Sequence, residues 1–93
     1  MATSTINKLT ITETIEIYMH TITKHSTGGA YYSDTEIDVS KTGYLPVSCL
    51  IKEWSGISAV IQPYITGSNK IGFLSDVSQT AAYIAVKIIY EKQ

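Results

Sequence analysis

Apolar and polar residues alternate with a period of two through the first part of the chain. One parity is mainly apolar and holds Leu9, Ile11, Ile15, Ile17 and Met19. The other parity is mainly threonine and glutamate, and it includes His20. Because successive side chains of a strand point to opposite faces, the pattern predicts a long first strand with one apolar face and one polar face. Glu13 interrupts the apolar parity, so we expect the strand to bend or break there.

Two later stretches alternate in the same way. Residues 31–39 predict a second strand whose inward positions are Tyr31, Ile37 and Val39. Residues 81–91 predict a last strand whose inward positions are Ile84, Val86, Ile88 and Tyr90. Tyr83 and Ile89 make the other face of the last strand partly apolar, which is typical of a central strand or of a subunit interface.

The middle of the chain predicts two successive hairpins. A two-residue loop at 55–56 joins the stretches 44–54 and 57–66, and this loop would pair Ile51 with Val60. The partners in such a hairpin lie on the same face of the sheet, where cross-strand pairs stabilise it.

The second hairpin has two candidate registers. A two-residue loop pairs Tyr64 with Phe73, whereas a three-residue loop at Gly67 pairs Ile65 with Ile71. A slip of one residue moves every side chain to the opposite face, so the two registers predict different cores. The first register places Tyr64 in the core.

Clusters of glycine, serine, asparagine and aspartate interrupt these stretches at short intervals. Short strands separated by such turns are typical of all-β folds. We therefore predict an antiparallel β-sandwich of six to eight short strands with jelly-roll or Greek-key topology. The length suits a single domain over residues 1–93, with residues 1–8 as a loose N-terminal arm.

Composition narrows the classes of function. Charged residues make up 16% of the chain and the formal net charge is −1. All seven basic residues are lysines, so the arginine fork and the positive field that favour nucleic-acid binding are both missing. No apolar run is long enough to insert into a membrane, and residues 1–8 lack the pattern of a signal peptide. We expect no nucleic-acid partner, no membrane insertion and synthesis in a cytoplasm.

Candidate reactive groups are few. Cys49 lies in an apolar run, VSCLI, and is expected to pack as a small hydrophobic residue. The carboxylates at 34, 36 and 38 fall on one predicted strand face, which indicates either a solvated face or a calcium site. His20 and His25 are expected to be ordinary imidazoles. Because no catalytic or cofactor motif is present, we expect no enzymatic activity, no bound metal and no cofactor.

The binding candidates are aromatic. Trp54 borders the predicted 55–56 turn, where it either covers the end of the core or stands exposed and contacts a sugar or a protein. Tyr31 and Tyr32 are adjacent, so one ring of the pair faces outward if the segment is a strand. We therefore expect Trp54, Tyr31 and Tyr32 to be the binding residues.

A resemblance to a known class of domain rests on three segments. Residues 43–47 (GYLPV) resemble the glycine-tyrosine-x-proline step that leads into a hydrophobic strand in small β-sandwich domains of bacteriophage tail and fibre proteins. Residues 70–78 (KIGFLSDVS) and 82–92 (AYIAVKIIYEK) resemble the turn and the alternating last strand of those domains. The resemblance covers about residues 36–92, and Ser-Asp at 75–76 departs from the Arg-Asn of the pattern.

That resemblance implies a non-enzymatic virion protein of the tail, fibre or baseplate type, made in the cytoplasm of a bacterial host. It implies a homo-oligomer, with a trimer favoured, and a receptor-binding role in which a host-surface glycan is the expected contact. The low charge content fits a surface that is buried between subunits. The alternatives are a small carbohydrate-binding module and a structural head or decoration protein.

Overall fold

The secondary structure consists of β-strands. The computed structural model describes residues 9–25, 28–57 and 60–93. The strands in chain order are β1 (Thr10–His25), β2 (Tyr31–Ser33), β3 (Ile37–Asp38), β4 (Tyr44–Ser55), β5 (Ile61–Ile65), β6 (Lys70–Ser75) and β7 (Gln79–Lys92). All strand pairs are antiparallel, and the described residues contain no helix. The predicted all-β class and number of strands are confirmed, while the predicted arm over residues 1–8 lies outside the described residues.

All seven strands belong to one hydrogen-bonded sheet. The order across it is β3-β6-β2-β1-β7-β4, and β5 also pairs with β6. The core cluster combines Ile71 and Phe73 of β6 with Val86 and Ile88 of β7. Because β6 and β7 are not neighbours in the sheet, the sheet curves so that these residues meet across a common core. The jelly-roll or Greek-key arrangement of a sandwich stays a prediction.

The two longest strands run side by side. β1 pairs with β7 from Thr10 opposite Glu91 to Ile22 opposite Gln79. All four inward positions predicted for the last strand are buried, as expected: Ile84, Val86, Ile88 and Tyr90. β7 lies between β1 and β4, so its partly apolar second face is that of a central strand. These long strands give the molecule its elongated shape of 53 × 27 × 21 Å.

The predicted alternation of β1 is wrong at its far end. Met19 has a φ of 50° and is 68% exposed, although the pattern placed it on the apolar face. After a residue with a positive φ, the following side chains lie on the opposite side of the strand. His20 is therefore buried, although the pattern placed it on the polar face. The break expected at Glu13 does not occur, because β1 is continuous through this residue. Leu9 precedes β1 and is exposed.

The predicted strand over residues 31–39 is interrupted. β2 ends at Ser33 and β3 begins at Ile37. At the start of the turn between them the Asp34 carboxylate accepts hydrogen bonds from the backbone N–H and the hydroxyl of Thr23, at 2.8 and 2.7 Å. Thr23 lies on β1, so these hydrogen bonds hold the turn against that strand. The three carboxylates therefore do not share one strand face.

The predicted hairpin at residues 55–56 is also wrong. β4 pairs with β7, so Ile51 lies opposite Val86 rather than Val60. β7 offers a long apolar partner that a local turn pattern cannot reveal. In the next hairpin the three-residue loop is the correct alternative, because Ile65 lies opposite Ile71. The Tyr64–Phe73 register is wrong.

β4 ends the strand order and forms an edge of the sheet. Gly43, with a φ of 81°, makes the turn before the strand, and Pro46 lies within it opposite Tyr90. Proline has no N–H to donate and is found mainly on edge strands, so this position suits it. The register of β4 also shifts between Pro46 and Ser48 and again between Ile51 and Glu53.

Candidate functional site

The structure does not bring the three predicted binding residues together. Trp54 lies near the end of β4, opposite Ile84, and is 51% exposed. Tyr31 and Tyr32 lie on β2 and are half-buried. β1 and β7 separate β2 from β4 in the sheet. The pairing of the strands therefore does not place Trp54 beside the two tyrosines.

The two tyrosines of β2 face different neighbours. The ring of Tyr31 packs against His25, with 4.9 Å between ring centroids. The ring of Tyr32 meets Tyr64 of β5 edge-to-face, with 5.9 Å between centroids and 69° between ring planes. Such perpendicular pairs are favourable because the positive edge of one ring meets the negative face of the other. Only the Tyr32 ring belongs to the cleft described next.

An open cleft of about 290 Å³ lies beside the Tyr32–Tyr64 pair. We call it the tyrosine cleft, and its lining residues are Lys24, Tyr32, Ser33, Asp34, Glu36 and Tyr64. These residues come from β1, β2, the following turn and β5. The cleft therefore forms where the turn after β2 passes β5.

A glycine fixes the position of one wall of the cleft. Tyr64 lies directly opposite Gly72 of β6, and its ring covers this glycine. A Cβ atom at position 72 would overlap with the hydroxyl end of the Tyr64 ring. The hydroxyl of Tyr64 donates to Oε2 of Glu36 at 3.4 Å. Burial, together with the nearby Glu36 carboxylate, raises the pKa of Tyr64, so the phenol remains a donor at neutral pH.

The three carboxylates at positions 34, 36 and 38 have separate partners. Asp34 accepts from Thr23, and these hydrogen bonds hold the pKa of its carboxyl below the ordinary value. Asp38 accepts from the backbone N–H of Ser40 at 2.8 Å. Glu36 accepts from Tyr64. Among the residues that the structure describes, no three His, Cys, Asp or Glu side chains are grouped as metal ligands would be.

A buried serine and histidine lie under the cleft. His20 Nε2 is 2.7 Å from Ser33 Oγ, and this oxygen also accepts the backbone N–H of Phe73 at 2.8 Å. Ser33 is 2% exposed and His20 is 6% exposed, so neither presents a reactive atom to a substrate. The pair instead satisfies the Phe73 N–H where β2 separates from β6, and it connects β1, β2 and β6.

Comparison with known protein families, curated proteins and solved structures finds no match to this chain. The resemblance to phage tail and fibre domains therefore stays a prediction. The described residues also form no helix that is long and apolar enough to cross a membrane.

Sequence reasoning singled out Tyr32, Asp34 and Glu36 but did not bring them together in one cleft. It assigned Tyr64 to the core and gave Lys24 no role, whereas both line the cleft. The three-residue loop would have indicated the position of Tyr64, because its register places Tyr64 opposite Gly72 and leaves the ring lying over a residue without a side chain. Cys49 is half-buried and packs against the core, and burial raises its thiol pKa.

His20 makes stability dependent on pH. Burial lowers its pKa from 6.5, and the nearby Asp34 only partly opposes this effect. The unfolded chain therefore binds more protons than the folded protein below about pH 6.5, so stability is retained above this pH and decreases as pH falls toward the folded-state pKa. We expect the melting temperature to decrease between about pH 7.5 and about pH 5.5.

The measurement is thermal unfolding by circular dichroism across that pH range. The matched variant His20→Gln retains a polar side chain but has no imidazole, so its melting temperature should vary less with pH. Equal pH dependence in the two proteins would contradict the assignment to His20.

Proposed function

We propose that this chain is a non-enzymatic structural or adhesion protein of the phage virion type that assembles with copies of itself. One observation carries the self-assembly: β4, an edge strand, exposes large apolar side chains along its length. Leu45 is 39% exposed, Val47 42% and Leu50 52%. The tail, fibre or baseplate assignment, and the preference for a trimer, rest on the resemblance of residues 43–47, 70–78 and 82–92.

The exposed side chains form a patch with a defined border. Leu45 and Leu50 lie opposite Glu91 and Lys87 of β7, and Ile89 lies on the same face between those two positions. We call Leu45, Val47, Leu50 and Ile89 the outer patch. Its four members are apolar, Ser48 lies among them opposite Ile89, and Lys87, Glu91 and Thr12 border it with polar groups. An apolar centre with a polar rim is the usual composition of a protein interface.

The edge of β4 favours contact through side chains over extension of the sheet. A continuous partner strand would need regular backbone donors and acceptors along the edge. Pro46 lacks a donor, and the two register shifts of β4 interrupt the regular spacing. A second copy of the chain is therefore expected to cover the side chains of the outer patch.

The test of self-assembly is the molar mass in solution. Light scattering after gel filtration at about 100 μM should give a multiple of the 10.2 kDa protomer mass, and three protomers are the expected number. A different multiple would overturn the trimer but support self-assembly. A monomer at this concentration would overturn the proposed function.

Leu50→Lys should weaken the assembly. The substitution replaces an apolar member of the outer patch with a charge that lies opposite Lys87, and burying that charge is unfavourable, so we expect association at least about tenfold weaker. Val60→Lys is the matched control, because Val60 is 77% exposed and precedes β5 rather than lying on β4. Equal weakening by the two lysines would mean that the outer patch is not the interface.

The virion assignment has its own test. An antibody raised against the chain should label purified phage particles from the host that produces it. A protein that assembles but is absent from the particles would keep the self-assembly and overturn the virion role.

A further inference from the structure

We propose that the tyrosine cleft binds a neutral saccharide ring. This inference does not depend on self-assembly, because the cleft is formed by β1, β2, β5 and the turn after β2, whereas the outer patch lies on β4 and β7. The proposal rests on three features of the cleft: its aromatic wall, its polar groups of both signs and its size.

The aromatic wall is positioned before any ligand binds. Tyr32 and Tyr64 hold each other at 69°, and the Tyr64 ring lies against Gly72. The C–H face of a sugar ring is apolar and slightly positive, so it is attracted to the negative face of an aromatic ring. A wall that is already in place loses little conformational entropy on binding.

The polar groups match hydroxyls better than they match an ion. Lys24 donates hydrogen bonds, whereas Asp34 and Glu36 accept them, and all three line the cleft. Each hydroxyl of a sugar both donates and accepts, so it can use groups of either kind. The three charged groups give the cleft a formal net charge of −1, which repels an anionic ligand, and the Lys24 ammonium reduces the attraction for a cationic one.

The lone pairs of the carboxylates are only partly used within the protein. Oε2 of Glu36 accepts a long hydrogen bond, of 3.4 Å, from Tyr64. Asp34 accepts from the backbone N–H of Thr23 at 2.8 Å and from its hydroxyl at 2.7 and 2.9 Å, whereas an ionised carboxylate has about four acceptor positions. Both side chains are exposed and therefore retain some acceptor capacity.

The volume of the cleft limits the ligand. Sites for small molecules usually measure about 300–1,000 Å³, and the tyrosine cleft, at about 290 Å³, is at the lower end of that range. One sugar ring suits this space, and a longer chain would extend into solvent. We therefore expect weak affinity for a single sugar, with a Kd of about 1–10 mM.

The experiment is a titration of the full, isotope-labelled chain followed by the backbone amide resonances. The probes are glucose, galactose and N-acetylglucosamine, each added to about 50 mM, and choline and sulfate serve as charged probes. At least one neutral sugar should shift the amides of residues 32–36 and 64 with saturation, and the charged probes should not.

Variants separate the cleft from other tyrosines. Tyr32→Ala and Tyr64→Ala should each weaken sugar binding at least tenfold. Tyr18→Ala is the matched control, because Tyr18 also belongs to a tyrosine pair, with Tyr83, and is 64% exposed on another face. Tyr64→Phe, which keeps the ring and removes only the hydroxyl, should fold even where an alanine variant does not, and it should weaken binding severalfold.

Several results would overturn the proposal. They are the absence of saturable shifts with every neutral sugar, shifts centred on Trp54, affinity unchanged in Tyr32→Ala or in Tyr64→Phe, and binding of choline or sulfate in preference to sugars. Loss of sugar binding in Leu50→Lys would show that binding requires the assembled protein and would overturn the independence of the two sites.

Discussion

Phe73→Ala is expected to lower the free energy of unfolding by about 3–5 kcal/mol. Phe73 is fully buried, and its ring packs edge-to-face against His20 with 5.2 Å between centroids. The substitution removes the largest fully buried side chain of the core and leaves a cavity that the surrounding strands fill only in part. A domain of this size has a total stability of about 5–14 kcal/mol, so the variant is expected to lose a large part of it.

The measurement is urea unfolding at one fixed protein concentration, because assembly would make stability depend on concentration. Phe73→Leu keeps most of the buried volume and should lose less than about 1.5 kcal/mol. Val60→Ala removes an exposed side chain and should change the stability by less than about 0.5 kcal/mol. A loss in Phe73→Ala no larger than that in Val60→Ala would contradict the position of Phe73 at the centre of the core.

The positions that the sequence predicted correctly are those where alternation alone determines the structure. β7 repeats apolar residues at every second position from Ile84 to Tyr90, and all of them are buried. The face that carries these four residues is the more apolar of the two, so it is expected to point toward the core. The same argument failed at Met19, because methionine has no particular preference for a positive φ and gives no signal that the strand will reverse.

The sequence predicted the positions of the strands better than it predicted which strands pair with each other. Turn residues at 55–56 favoured a local hairpin, but β4 pairs with β7, which lies far along the chain. The cleft depends on the same kind of non-local information. Its wall requires Tyr32 and Tyr64, from β2 and β5, to meet beside a turn held by Asp34 and Thr23. No spacing within a single segment encodes that meeting.

Substitution by alanine should change the free energy of unfolding by a different amount at each of three glycines. Two of the substitutions should lower it, and the third should raise it. Gly56 has a φ of 68°, and a Cβ there would lie 2.7 Å from the Cβ of Ala82 and 3.2 Å from its backbone nitrogen. Gly43 has a φ of 81° with open space around it. Gly67 has open space and no positive φ. The three sites therefore separate backbone strain from steric overlap.

Gly56→Ala should lower the free energy of unfolding by about 3 kcal/mol, because strain at a positive φ adds to a clash with the backbone of central strand β7. Gly43→Ala should lose about 1 kcal/mol, from strain alone. Gly67→Ala should gain about 0.5 kcal/mol, since alanine restricts the unfolded chain. Urea unfolding of the three variants measures these changes in the free energy of unfolding.

A double-mutant cycle assigns the extra loss at Gly56 to its contact with Ala82. Ala82→Gly removes one of the two overlapping carbon atoms, so in the Gly56→Ala background it should recover part of the lost stability. In the wild-type background it only adds a glycine to a strand, so there it should lower the stability. Additive effects would mean that the Cβ atoms at positions 56 and 82 do not meet, and that β4 does not reach β7 at its last residues. The same result would remove the basis for placing Trp54, two residues before Gly56, opposite Ile84.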